Sequence, residues 1–137
     1  MKKAIFSAAI LLLATYAYAQ ISISSYGGRA DSVPRPRLLS PIQTEVNLSG
    51  KEALEFKWSP HEGLRLGRKY YDFRLYEGFD MLERTLLFKE RVPGNKYEIS
   101  LDAEMFLPGK VYTWSLRQVY RGVGKSRRSF HSFRVIK

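Results

Sequence analysis

The sequence predicts an all-β chain folded as an antiparallel β-sandwich. Three observations carry this prediction: apolar and polar residues alternate with a period of two over five short segments, Gly and Pro separate these segments, and long helical periods are missing. Alternation indicates strands because successive side chains of an extended chain point to opposite faces. Several such strands separated by turns are typical of two packed sheets.

The strands follow one another from residue 39 onward, and each directs one set of side chains to the core. The residues predicted to face inward are Leu54, Phe56 and Trp58; Tyr71, Phe73 and Leu75; Tyr97, Ile99 and Leu101; Tyr112, Trp114 and Leu116; and His131, Phe133 and Val135. Their neighbours, such as Glu55, Asp72, Thr113 and Ser115, are predicted to face outward. We therefore assign Trp58, Tyr112 and Trp114 to the structural core.

Two segments fit the alternation less well. Phe79 to Glu90 has some helical spacing, but we predict an irregular loop to about Thr85 and a strand from Leu86 to Val92, because Pro93-Gly94-Asn95 is a turn sequence. DAEMF, residues 102–106, is predicted to form a single helical turn capped by Asp102.

The N-terminus predicts export. MKK, the apolar run 4–14 and Ala17-Tyr18-Ala19 are typical of a signal peptide, residues 1–19, cleaved before Gln20; an uncleaved anchor is the alternative. Residues 20–38 are rich in Ser, Gly and Pro and are predicted to be a flexible linker, followed by one domain at 39–137. The signal predicts a periplasmic or secreted protein, and without cysteine the domain depends on its hydrophobic core.

The charge predicts polyanionic partners. The formal net charge is +10, and loss of Lys2 and Lys3 with the signal leaves +8. An excess of basic residues of this size favours binding to anionic glycans, lipid head groups or nucleic acid. We do not expect nucleic acid as a partner, because the protein is predicted to be exported.

A family resemblance appears at FLPGKVYTW. Phe106, Pro108-Gly109, Tyr112 and Trp114 resemble the segment that enters the sixth strand of fibronectin type III domains. LEFKWSP, with Trp58, is similar to the second strand, YYDFRLYEG to the third and SFHSFRV to the last. The resemblance implies a seven-stranded, immunoglobulin-like sandwich of two sheets over residues 39–137. It also implies a tyrosine corner, in which the Tyr112 hydroxyl bonds to the backbone upstream.

The sequence offers little material for catalysis. His61 and His131 lie on different predicted elements, and the spacings of zinc-protease, serine-hydrolase and phosphate-loop motifs are not present. The acidic pairs Glu77/Asp80 and Asp102/Glu104 are interpreted as turn and cap residues rather than as calcium ligands. We predict a protein that is not an enzyme and uses no cofactor and no metal.

The best candidate for a binding site is a pair of basic loops. In the predicted sandwich the connections 59–69 and 120–130 lie at the same end, and their glycines permit close approach of a ligand to the backbone. The alternative is that these are ordinary solvated turns. The candidate ligand-binding cations are Arg65, Arg68, Lys69, Arg121, Lys125, Arg127 and Arg128, with Tyr70 and Tyr120 as candidate stacking rings.

Two functional hypotheses follow. The first is an exported, non-enzymatic binding or scaffolding module of the bacterial cell envelope that contacts anionic glycan or lipid through the basic loops. The second is an accessory subunit of an envelope protein assembly, held by a sheet edge or by strand pairing of Ile21 to Ser24. A small hydrolase or metal enzyme is the least favoured class, because only His61 and Glu62 would support it.

Overall fold

The chain folds as a β-sandwich of two sheets. A computed structural model describes residues 33–59 and 68–137. Within them the strands are β1 Arg37–Ser40, β2 Glu45–Asn47, β3 Ala53–Ser59, β4 Lys69–Glu77, β5 Leu86–Pro93, β6 Glu98–Asp102, β7 Val111–Tyr120, β8 Gly124–Lys125 and β9 Ser129–Ile136. Strands β2 and β8 have three and two residues, and the other seven form the predicted sandwich.

The small sheet has the order β1-β3-β6, and the large sheet has the order β2-β9-β7-β4-β5 with β8 beside β7. Every pair is antiparallel except β2 with β9, which is parallel. The sequence did not predict this exception. It arises because the chain leaves the small sheet after β1, crosses to the large sheet, and joins its edge there as a short strand.

Most of the predicted inward series forms the core, whereas Tyr97, Ile99 and His131 are only half-buried. Phe56, Phe73 and Trp114 are completely buried, and the Phe56 ring meets the other two edge-on at centroid distances of 5.1 Å. Aromatic pairs favour this T-shaped arrangement. The predicted tyrosine corner is also present, since the backbone N–H of Leu107 donates to the Tyr112 hydroxyl at 2.7 Å.

The outward side of β7 is more covered than the sequence predicted. Thr113 and Ser115 point away from the core and yet are completely buried. The Thr113 hydroxyl donates to the carbonyl of Gly78 at 2.7 Å, and a guanidinium N–H of Arg128 donates to the Ser115 hydroxyl at 3.2 Å. Side chains from neighbouring strands therefore form a second, polar layer on this face.

The folded domain begins earlier than predicted. Val33 is buried, the amide of Gln118 donates to the carbonyl of Pro34, and the Ser129 hydroxyl donates to the carbonyl of Pro36. Residues 33–38 thus belong to the domain rather than to a linker, because their carbonyls are fastened by side chains of the large sheet. The predicted signal peptide and the rest of the linker lie outside the described residues.

The segments before β5 and after β6 match the sequence prediction with one correction. A 3-10 turn at Glu83–Thr85 precedes β5, and a second at Ala103–Met105 follows β6. The Asp102 side chain makes no capping hydrogen bond, so its predicted role as a cap is wrong. None of the described helical turns approaches the length and apolar character that a membrane-spanning helix needs.

Candidate functional site

The described end of the first basic connection lies beside the start of the second, at one end of the sandwich. Lys69 pairs with Tyr120 where β4 begins and β7 ends, and the backbone N–H of Arg121 donates to the carbonyl of Arg68 at 3.0 Å. Arg68 and Arg121 are both exposed at this junction. Arg65, together with His61 and Glu62, lies outside the described residues. We call this region the loop end.

Three arginines share one depression at the loop end. Its volume is about 250 Å³, and Lys69, Tyr70 and Pro93 complete its lining. We call Arg68, Arg91 and Arg121 the loop-end cluster. Carboxylates are missing from the described residues that line the depression. Such a depression attracts anions, since a one-sign patch focuses the local potential.

Arg91 was not a candidate from the sequence. Its guanidinium carbon lies 4.3 Å from the centroid of the Tyr70 ring, which is cation–π geometry. The half-buried Tyr70 ring, a predicted stacking platform, therefore has one face covered by Arg91. Only the pairing of β4 with β5, in which Tyr70 lies opposite Pro93 and Asp72 opposite Arg91, reveals this proximity.

Lys69 belongs to the loop end but turns toward the core. Its ammonium nitrogen lies 5.4 Å from the centroid of the Tyr71 ring and 6.0 Å from that of Tyr97. Burial lowers the pKa of Lys69 below its ordinary value. A side chain at Gly94 would place its Cβ 2.4 Å from the Lys69 carbonyl oxygen, so this turn requires glycine.

Tyr120 is in the core and offers no ring for stacking. It is 2% exposed, and burial together with the nearby Tyr97 raises the pKa of its hydroxyl. The sequence carried the signal for this position, because Tyr120 continues the even-numbered inward series of Tyr112, Trp114 and Leu116. The structure therefore contradicts the stacking role predicted for Tyr120.

Lys125 and Arg127 are exposed on the hairpin after β7, whereas Arg128 leaves it. Lys125 lies opposite Val119, and Ser129 lies opposite Leu116. The chain therefore advances four residues from Lys125 to Ser129 while β7 advances only three, so one residue is extra. The extra residue lies in the connection 126–128 between β8 and β9, where it redirects side chains as a β-bulge does. Arg128 consequently reaches the outer surface of the large sheet instead of the loop end.

On that surface three arginines surround one carboxylate. We call Asp72, Arg74, Arg117 and Arg128 the Asp72 cluster. Asp72 oxygens lie 2.6 Å from Arg128 Nη2, 3.3 Å from Arg117 Nε and 3.4 Å from Arg74 Nε. Burial acts to raise the pKa of Asp72, but Arg128 first, then Arg74 and Arg117, outweigh it and hold the pKa below its ordinary value.

His131 is the candidate histidine that the structure describes. His131 is half-buried, and its Nε2 lies 2.7 Å from the carbonyl oxygen of Gln43. Clusters of three or more His, Cys, Asp or Glu side chains that could hold a metal ion are absent from residues 33–59 and 68–137. The chemistry available at the loop end and in the Asp72 cluster is therefore electrostatic recognition by guanidinium groups.

The three predicted core residues all lie in the core. Trp58, Tyr112 and Trp114 are 1%, 2% and 0% exposed. The indole N–H of Trp114 donates to the carbonyl of Pro41 at 3.1 Å, which ties β7 to the crossing between the sheets. These residues belong to the cluster that holds the two sheets together.

Comparison with solved structures found the third fibronectin III domain of human KIAA0343 protein. The two chains share 18% identity at a TM-score of 0.48, over 77% of this chain and 81% of that one. No family model and no curated protein matches the sequence. The assignment of the fold as a sandwich therefore comes from the sheets themselves.

Proposed function

We propose that this chain is an exported, non-enzymatic binding module of the bacterial cell envelope, which holds anionic glycans or lipid head groups at its loop end. One observation carries the proposal: Arg68, Arg91 and Arg121 line a single depression without a carboxylate among its described lining residues. A planar guanidinium donates two parallel hydrogen bonds to a carboxylate or phosphate, so three of them favour an oxyanion ligand.

Local structure supports this function, because each cation lies in a strand or directly beside one. Arg91 belongs to β5, Arg68 directly precedes β4, and Arg121 directly follows β7. The hydrogen bond between the backbones of Arg68 and Arg121 fixes the spacing of two of the three. A preorganised cluster loses less conformational entropy on binding than flexible lysines on a free loop.

Export is the second part of the proposal. The charged start, the apolar run and the Ala-x-Ala sequence before Gln20 support a signal peptide, and the net charge of the remaining chain suits an anionic surface. Expression in a bacterium, followed by fractionation and N-terminal sequencing, tests this part. A chain that begins at Gln20 in the periplasm or the medium is expected; an intact chain in the cytoplasm contradicts it.

Binding is tested with purified protein against lipopolysaccharide, an anionic glycan and anionic vesicles over a series of salt concentrations. We expect Arg68→Ser/Arg121→Ser to weaken binding about tenfold, which corresponds to about 1.4 kcal/mol, and to reduce its salt dependence. Lys51→Ser/Arg84→Ser is the matched control, because it removes two exposed cations away from the loop end. Equal weakening by both variants, or no binding by the wild type, contradicts the proposal.

An accessory subunit in an envelope assembly is the second candidate. Strand β5 ends the large sheet, and its eight residues present an edge to which another strand can add. Because residues 33–38 belong to the domain, the test is removal of residues 20–32 alone. Loss of a partner on this truncation favours strand addition by the tail; retention of the partner together with polyanion binding favours the first function.

A further inference from the structure

The outer face of the large sheet carries a second surface, which adjoins the loop end and shares Tyr70, Arg91 and Pro93 with its depression. Strand pairing arranges its side chains in three rows across neighbouring strands. The rows are Lys89, Arg74, Ser115 and Phe130; Arg91, Asp72 and Arg117; and Pro93, Tyr70, Val119 and Lys125. We call this surface the outer sheet face, and Arg128 reaches its middle row through its bond to Asp72.

The middle of this face holds more positive than negative charge. Arg74, Arg117 and Arg128 share the carboxylate of Asp72, and the side chains are only 25%, 23% and 19% exposed. Arg74 has one further carboxylate at 3.7 Å, that of Glu83, but Glu83 is 84% exposed and well screened by solvent. Sheltered charges in excess of their partners gain more from an incoming anion than freely solvated ones do.

The arginines adjoin a depression that can receive such an anion. It has a volume of about 310 Å³, and its lining includes Arg74, Lys89 and Arg91 beside Asp72, with Glu90 as the second carboxylate. Cross-strand pairing places Arg74 opposite Lys89 and Asp72 opposite Arg91. An anionic group in this depression therefore meets donors from two strands at once.

An exposed aromatic ring lies in the same row. Phe130 pairs with Ser115, which in turn pairs with Arg74, and the Phe130 side chain is 58% exposed. Protein partners use exposed aromatic rings of this kind as anchors. Arginine and aromatic residues together are the composition that is enriched in protein interfaces.

We propose that the outer sheet face docks an acidic segment of a protein partner, whose carboxylates meet Arg74 and Arg117 while an apolar side chain packs on Phe130. Three rows about 7 Å apart on four strands about 4.8 Å apart cover roughly 400 Å². This is about half of the ~800 Å² that each partner contributes to a stable complex, so the contact is transient and of modest affinity.

The experiment uses two polypeptide probes and one glycan probe. Poly-glutamate supplies carboxylates alone, a random copolymer of glutamate and tyrosine supplies carboxylates with aromatic anchors, and dextran sulfate supplies anionic charge on a sugar chain. Fluorescence anisotropy measures the affinity of the purified protein for each. We expect the copolymer to bind several-fold more tightly than poly-glutamate, because only the copolymer engages Phe130.

Two variants locate the contact. Arg74→Gln/Arg117→Gln is expected to weaken copolymer binding about tenfold, as the loss of two charge-assisted contacts implies. Phe130→Ser is expected to remove the preference for the copolymer over poly-glutamate and to leave dextran sulfate binding unchanged. Phe130 is exposed and outside the core, so this second variant tests the proposal even if the arginine variant fails to fold.

The loop-end variant separates this proposal from the proposed function, which it does not require. Arg68→Ser/Arg121→Ser is expected to retain copolymer binding and to lose glycan or vesicle binding. Equal copolymer affinity in the wild type and in Phe130→Ser overturns docking of a protein segment. Dextran sulfate that binds more tightly than the copolymer, and loses affinity in Arg74→Gln/Arg117→Gln, also overturns it and makes the face a glycan surface instead.

Discussion

The two ends of the core differ in whether their buried polar atoms have hydrogen-bond partners. At the end that holds the tyrosine corner, the Tyr112 hydroxyl accepts a hydrogen bond from the backbone of Leu107. At the loop end, several buried polar atoms have no hydrogen-bond partner among the described residues. These atoms are Trp58 Nε1, the hydroxyl groups of Tyr71 and Tyr120, and Gln118 Oε1.

This difference distinguishes the end that holds the tyrosine corner from the end that holds the loop-end cluster. A buried polar atom without a partner costs free energy, whereas the bond of Tyr112 contributes to stability. The loop end holds these described atoms without partners, and it is also where the loop-end cluster lies. Recognition surfaces commonly occupy the regions of a fold that have the least stability in reserve.

The largest effect tests whether the two ends form one core. Trp114 is completely buried and contacts Phe56 and Phe73, so Trp114→Ala is expected to cost about 3–5 kcal/mol. Urea unfolding measures the loss. Trp58 is then the one remaining tryptophan, and its fluorescence reports the loop end while circular dichroism reports both sheets. Transitions that separate would show that the ends unfold independently.

The second prediction compares two glycines. Gly94→Ala at the loop end places Cβ against backbone and side-chain atoms of Lys69, at 2.4 and 2.5 Å, and is expected to cost about 1–3 kcal/mol. Gly109→Ala lies beside the tyrosine corner, and the added Cβ would have no atom within 4 Å. The cost there comes only from the positive φ of +81°, and we expect the free energy of unfolding to fall by about 1 kcal/mol. Thermal unfolding of both variants measures the difference. A smaller cost at Gly94 would mean that the turn moves away from Lys69.

The third prediction addresses the hydroxyl groups directly. Tyr112→Phe removes a hydrogen bond and is expected to cost about 1 kcal/mol. Tyr71→Phe removes a buried hydroxyl whose contact with the Trp58 indole falls outside good hydrogen-bond geometry, so its cost is expected to be smaller than that of Tyr112→Phe. Chemical denaturation of the pair provides the measurement. Equal costs would contradict the distinction between the two ends.

The last prediction concerns the contribution of the Tyr71 hydroxyl to the pH dependence of stability. This contribution is zero at neutral pH and is seen only at alkaline pH. Burial first, then Tyr97 and Tyr120, raise the pKa of Tyr71 to about 12, although the indole of Trp58 acts in the opposite direction. A folded pKa above the unfolded value means that the stabilising effect is complete below about pH 10 and disappears as the pH rises toward 12. We expect stability to fall over this interval, and to fall less in Tyr71→Phe. Parallel pH profiles of the two proteins would contradict the assignment.

Most of the fold could be predicted because alternation encodes burial directly. The faces of β3 and β4 follow from the pattern of ALEFKWS and YYDFRLY, since both strands bury one side against the opposite sheet. Strands β2 and β8 could not be predicted, because three or two residues carry no period. The start of the domain at Val33 was missed because its contacts come from distant side chains rather than from local alternation.

The site could be predicted only in part, because pairing decides which cations meet. Arg68 and Arg121 follow from the topology, whereas Arg91 is brought to Tyr70 by the register of β4 and β5. In YRGVGKSRRSF the cations look equivalent, yet the extra residue before β9 sends Arg128 to Asp72. A single extra residue next to a strand moves a side chain from one site to another, and the local sequence pattern does not predict where such a residue occurs.

The parallel pairing of β2 with β9 has a mechanical consequence. Hydrogen bonds from Leu48 N to the Ile136 oxygen and from Arg134 N to the Thr44 oxygen join the two strands, at 2.8 Å each. When the chain before β2 and the chain after β9 are pulled apart along the strands, these bonds bear the load together, in shear. An antiparallel pair pulled from one end would instead open one bond at a time. The edge of the large sheet is thus built to resist tension along the chain.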